Sequence, residues 1–134
     1  MSREWAHLSP ATVIAIHREV IAANGGAPGV RDTALLESAV GATQATAFGE
    51  PVFKDGIEIA STYLFNLCRN HPFIDGNKRT ALAATYTFLA INGTQLTANA
   101  DDAYAFVSGL YEKGEFNFDK LVPWLRSKTD KYRP

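Results

Sequence analysis

This chain has a single cysteine, Cys68, so no intramolecular disulfide can staple it. It has no surplus of either charge: 13 basic against 14 acidic residues leave a formal net charge of −1. Nothing global draws it to nucleic acid or to an acidic membrane. No uninterrupted apolar run reaches the ~20 residues of a membrane span. The opening Met1-Ser2-Arg3-Glu4-Trp5 lacks the apolar core of a secretion signal. Repeats, linkers and low-complexity segments are missing. So is the G-x-x-x-x-G-K-[ST] spacing of a Walker A loop. At 134 residues and 46% hydrophobic content, the chain is long enough for one core and too short for two typical domains. The expectation is one cytoplasmic domain over residues 1–134.

What is present reads as helices separated by clear punctuation. Ser9-Pro10 is a cap followed by proline at the first helical position. Val13, Ile14, Ile16, Val20 and Ile21 follow with helical spacing, and Gly25-Gly26 ends the run. Asp32 opens a second helix with Leu35, Leu36, Ala39 and Val40 on one side. Asp55 and Glu58 have capping-box spacing, and the helix they start presents Ile59, Tyr63, Leu64 and Leu67 as far as about Asn70. Cys68 lies in this apolar segment as buried filler. A fourth helix from about Asn77 carries Leu82, Ala83, Tyr86, Phe88, Leu89 and Ala90 and closes at Gly93; its small residues predict a central position. Asn99 caps a fifth, with Asp101 and Asp102 near its positive end. A sixth begins at Asn117 or Phe118 with Leu121, Trp124 and Leu125. Pro123 inside it predicts a late start or a kink. The fold class is all-α, a bundle of about six helices.

The chemistry concentrates in His71-Pro72-Phe73-Ile74-Asp75-Gly76-Asn77-Lys78-Arg79-Thr80, a loop feeding the fourth helix. An imidazole titrates near neutral pH, so His71 is a candidate general base. Asp75 is a hard oxygen ligand suited to Mg2+. Gly76 permits close backbone approach, and a helix starting near Asn77 points free N–H groups and its positive dipole end at the loop. Lys78 and Arg79 add full charges for phosphate. Pro72 fixes its own φ, and Phe73 plugs the loop into the core. A plainer reading stands beside this: Asp-Gly-Asn is ordinary turn chemistry, and Asp75 can serve as a helix cap.

The string resembles the signature of the Fic/Doc family, H-x-F-x-[DE]-G-N-[GK]-R. It matches at His71, Phe73, Asp75, Gly76, Asn77, Lys78 and Arg79. Asn24 to Asp32, Leu35-Leu36-Glu37-Ser38-Ala39 and Ala60 to Leu64 also resemble the Doc branch, so the similarity covers nearly the whole chain. Lys78 stands where adenylylating Fic enzymes usually carry Gly, and Leu82 where they usually carry a second Arg; both are typical of Doc. The resemblance implies a compact Fic/Doc bundle with His71 as catalytic base. Gly76, Asn77, Lys78 and Arg79 fall on phosphates, Asp75 on the metal, and ATP and Mg2+ are the cofactors. It further implies a toxin of a toxin–antitoxin pair that transfers the γ-phosphoryl group of ATP to a threonine of elongation factor Tu. A protein adenylyltransferase and a catalytically silent binding module are the alternatives. Self-inhibiting Fic proteins carry an [ST]-x-x-x-E-[GN] helix. Thr46 and Glu50 have the spacing here, but Pro51 breaks the pattern. Inhibition is therefore expected from a separate antitoxin, whose tail folds as a helix into an apolar groove.

The long irregular stretch Ala45 to Lys54 holds Phe48, Val52 and Phe53. It reads either as a short hairpin or flap that pairs with a target's backbone, or as a loop with both Phe side chains tucked into the core. Arg69, two residues before His71, reads either as a phosphate contact or, preferably, as a solvated helix-end cation. His17 reads as a helix-surface or half-buried imidazole, and Asp101 and Asp102 as helix-start charges. His7 is uninformative, and Asn66 has no assigned role.

Overall fold

Two helices form the centre of the molecule. The computed structural model describes residues 4–132, so Met1-Ser2-Arg3 of the opening stretch lies outside the described residues. Helix α1 spans Pro10–Asn24 and α2 spans Thr33–Gly41. A 3-10 turn (Ala42–Gln44) leads into the hairpin β1 (Thr46–Ala47) and β2 (Glu50–Pro51). Then come α3 (Gly56–Asn70), α4 (Asn77–Ile91), β3 (Thr94–Leu96), α5 (Ala100–Glu112), α6 (Phe118–Ser127) and β4 (Thr129–Lys131). Helices α3 and α4 pack on each other; α3 also meets α2 and α6, and α4 meets α1, α5 and β3.

The two central helices hold most of the core. Tyr63, Leu64 and Leu67 of α3 and Ala81, Ala84, Phe88 and Leu89 of α4 are buried. Full burial of each larger side chain contributes about 1.5–3 kcal/mol. The small residues of α4 allow close approach on several sides, as its sequence predicts. Ala90 is the exception and faces solvent.

Five of the six predicted starts carry a side-chain cap, and α4 is the exception. Ser9 Oγ accepts from Thr12 N–H, Asp32 Oδ1 from Leu35 N–H, Asp55 Oδ1 from Glu58 N–H, Asn99 Oδ1 from Asp102 N–H and Asn117 Oδ1 from Lys120 N–H. Glu58 reaches back to Lys54 N–H at 3.2 Å, one residue before the cap. Helix α6 starts at Phe118 and continues through Pro123, so the late start is corrected. Its ring sits on an exposed face, where the missing N–H meets water rather than core. The small antiparallel sheet of β3 and β4 is an element the sequence reading lacks.

The stretch before α3 is a hairpin, with Thr46 paired to Pro51 and Ala47 to Glu50. Phe48 (φ 52°) and Gly49 (φ 80°) make a tight turn of the type favoured between two strands. The two Phe residues part company: Phe48 is fully exposed, whereas Phe53 packs partly buried against the core. Val52 is 46% exposed. Thr46 and Glu50 thus lie on exposed strands, and no inhibitory helix forms there. Among the described residues no helix is long and apolar enough to cross a membrane.

Candidate active site

The loop between α3 and α4 is assembled from both sides. Helix α3 ends at Asn70, and His71 takes the left-handed conformation (φ 51°, ψ 52°) that closes a helix. A non-glycine residue there costs about 1–2 kcal/mol and needs support. Arg31 supplies it. Its Nε donates to the His71 carbonyl at 2.7 Å and its Nη2 to that of Asn70 at 2.9 Å. A cation on the last carbonyls also suits the negative end of the helix dipole.

Arg31 belongs to a strap, residues 25–32, that joins α1 to α2 and is zipped along the loop. Arg31 and Asp32 N–H both donate to the Pro72 carbonyl, Ile74 N–H donates to Gly29, and Ala27 N–H donates to Asp75 Oδ2 at 3.2 Å. Gly26 lies so close that a Cβ there would stand 2.8 Å from Asp75 Oδ2. From sequence, Gly25-Gly26 and Asp32 mark helix ends here, and the bonds to the loop carry no such signal. The strap's contribution is backbone N–H groups and one guanidinium, which leave little trace in side-chain pattern.

Within the loop, Phe73 is buried, as predicted. Asn77 Oδ1 accepts from Phe73 N–H and its Nδ2 donates to the Phe73 carbonyl, each at 3.0 Å. The Asn77 side chain therefore clamps the loop, with one amide hydrogen left for another acceptor. His17 is 2% exposed rather than at the surface, which corrects the sequence expectation. Its ring stacks on Phe73, and its Nε2 meets the Asp75 carbonyl at 2.9 Å. A lone His in an amphipathic helix gives no sequence signal of such a partner 58 residues away.

Asp75 does not cap α4. Gly76 occupies the cap position without a side-chain bond, and no acidic residue follows in the first turn. The first N–H groups of α4 are thus left to face an anion. Asp75 Oδ1 accepts from Gly76 N–H at 2.9 Å, and each carboxylate oxygen keeps a lone pair beyond its backbone donor. Among the described residues no three His, Cys, Asp or Glu side chains cluster as metal ligands. A cation here would have one protein carboxylate and otherwise water or phosphate oxygens, which suits Mg2+.

The two cations rest on aromatic rings of α5. Arg79 Cζ stands 4.2 Å from the Tyr104 ring centroid and Lys78 Nζ 4.8 Å from that of Tyr111. Burial pushes the Tyr111 hydroxyl up to about 12, so the ring beneath Lys78 stays neutral at cellular pH. Arg69 stacks over Phe65 at 5.5 Å and does not line the cavity formed by the loop. Burial likewise raises the Cys68 thiol to about 12, consistent with inert filler. His71, Asp75, Gly76, Asn77, Lys78 and Arg79 line one cavity of about 320 Å3 together with Tyr104. A second, more apolar cavity of about 540 Å3 adjoins it, sharing Val20, Asn24, Arg79 and Tyr104. Phe48, Val52 and Phe53 line neither cavity.

Comparison with known proteins agrees with this fold. The family model described as the Fic/DOC family matches residues 7–89. A protein named Toxin Doc from Mycolicibacterium smegmatis is 49% identical over 77 residues, covering 58% of this chain and 59% of that protein. A protein named Protein kinase doc from Escherichia phage P1 is 41% identical over 120 residues, covering 90% of this chain and 93% of that one. The solved structure of a Fic-1 fragment from C. elegans superposes with a TM-score of 0.66 over 91% of this chain and 41% of its own, at 19% identity, a likeness of fold. With the signature loop, the helical bundle and the extended match to the phage protein in agreement, the chain belongs to the Fic/DOC family.

Proposed function

We propose that this chain is a Doc-type toxin and a protein phosphotransferase. It moves the γ-phosphoryl group of ATP onto a hydroxyl of a target protein. The observation that carries the reading is one cavity that brings together His71, Asp75, the uncapped start of α4, Lys78 and Arg79. Amides at a helix start, an ammonium and a guanidinium are what a polyphosphate needs around it. His71 accepts the proton of the attacking hydroxyl, and its backbone is locked before substrate arrives. Lys78, Arg79 and the α4 amides hold the phosphates in line, since phosphoryl transfer is mostly positioning and charge stabilisation. Asp75 is the residue to hold Mg2+, which when bound supplies charge neutralisation on the phosphate oxygens.

Two features favour γ-phosphoryl over AMP transfer. Leu82 is buried on the wall of the adjoining cavity, so no second guanidinium grips phosphate there. The phage relative is named a protein kinase. The proposed target is elongation factor Tu, and such a reaction belongs in the cytoplasm. The proposed regulator is a cognate antitoxin whose helical tail lies in the apolar cavity beside Arg79, lined by Leu82, Ala83 and Tyr86.

The test is incubation with elongation factor Tu and ATP labelled at either the α or the γ position. Label from the γ position alone supports the proposal. Retention of the α label replaces it with adenylyl transfer. Nucleotide binding without transfer to any protein replaces it with a silent binding module.

A further inference from the structure

His17 is a buried imidazole that takes no part in the transfer step. Its ring lies on Phe73 with centroids 3.9 Å apart and planes 6° from parallel. Its Nε2 is 2.9 Å from the Asp75 main-chain oxygen. A carbonyl only accepts, so Nε2 carries the hydrogen. That oxygen and the Gly76 N–H belong to one planar peptide unit. The same Gly76 N–H donates to Asp75 Oδ1 at 2.9 Å. A chain of contacts therefore runs from His17 through a rigid peptide to the carboxylate. Gly76 suits this corner because its φ is 75° and a Cβ there would stand 3.0 Å from Ile21 Cδ1.

We propose that His17 is a positioning residue for Asp75. Its Nε2–H fixes the rotation of the Asp75–Gly76 peptide, and the Gly76 N–H then fixes the direction in which the carboxylate is presented. The strap holds the other oxygen from outside through Ala27. The helix interior holds the peptide through His17. The proposal rests on the reading of Asp75 as the Mg2+ ligand. It adds that the metal site depends on one donor in α1, remote in sequence.

Two substitutions separate the donor from the ring. His17→Phe keeps the aromatic stack and loses the N–H, whereas His17→Gln loses the stack and keeps an N–H at similar reach. The readouts are binding of a fluorescent ATP analogue titrated with Mg2+, and thermal unfolding. H17F is expected to unfold cooperatively and to bind nucleotide without Mg2+ as the unmodified protein does. It should need about tenfold more Mg2+ for tight binding, the usual consequence of losing an outer-shell partner. H17Q is expected to recover most of that response. A normal Mg2+ response in H17F, alongside a lost one in Asp75→Asn, overturns the proposal and leaves the function standing. A normal response in D75N overturns both. If H17F fails to fold, H17Q against His17→Met makes the same comparison without a ring, and equal Mg2+ responses in that pair overturn the proposal.

Discussion

Phe48 and His71 are the two non-glycine residues with positive φ among the described residues, at 52° and 51°. The local cost is similar at both and both residues are exposed, yet the bonding around them differs. Phe48 tips a hairpin with two residues in each strand, and its side chain is fully exposed. His71 is held through its carbonyl by Arg31, and the residues after it are bonded to the strap and to Asn77. At Phe48 the turn type alone accommodates the conformation. At His71 several partners from distant parts of the chain over-determine it. Strain is informative about chemistry where neighbours enforce it, and carries little where a turn tolerates it.

The sharpest way to break this comparison is at the enforced corner. His71→Ala should lower label transfer by about 10²–10⁴-fold, the usual contribution of a general base, while thermal unfolding stays cooperative. Full activity in that variant removes the assignment. Arg31→Ala should come next. It removes two charge-assisted bonds from the Asn70 and His71 carbonyls, so an equilibrium denaturation loss of roughly 1–2 kcal/mol is expected together with slower transfer. A fall in stability with unchanged transfer would mean that the corner keeps its shape without its brace.

The tolerated corner should respond the other way. Phe48→Asn places a residue that accepts positive φ in the same turn, so stability should stay within about 0.5 kcal/mol. Nucleotide affinity should not change. Transfer to the target protein should drop if the hairpin docks on it, and equal transfer would remove the flap from target recognition. The effect that is absent at neutral pH concerns the helix beneath His71. Burial raises the Cys68 thiol from 9.0 to about 12. The unfolded chain therefore loses this proton first as pH rises, and the stability tied to the protonated thiol is complete below pH 9.0 and lost on the way to about 12. Cys68→Ala should flatten that part of an alkaline denaturation profile, and an unaltered profile would count against the buried thiol as a source.

The sequence was most legible where function is contiguous. Residues 71–80 carry their chemistry in side chains, and the caps of five helices are single polar residues with a fixed offset to a free N–H. Legibility fell where partners are distant or anonymous. Ala27, Gly29 and Asp32 act through main-chain groups that any residue has. His17 looks like a surface or half-buried imidazole until the fold brings Phe73 against it. Strands β3 and β4 are three residues each, and Thr94 finds Lys131 far along the chain, so no local alternation announces them. Pro123 shows the limit of a local rule, since an exposed helix face absorbs the loss of one N–H.

The strap has a further consequence for how the protein can be divided. It connects the first two helices, so the signature and its brace lie on opposite sides of any cut between residues 33 and 70. A fragment starting after that cut would retain every letter of the motif and lack the geometry that makes those letters act. During synthesis the reverse holds: the brace emerges from the ribosome first and waits for its loop.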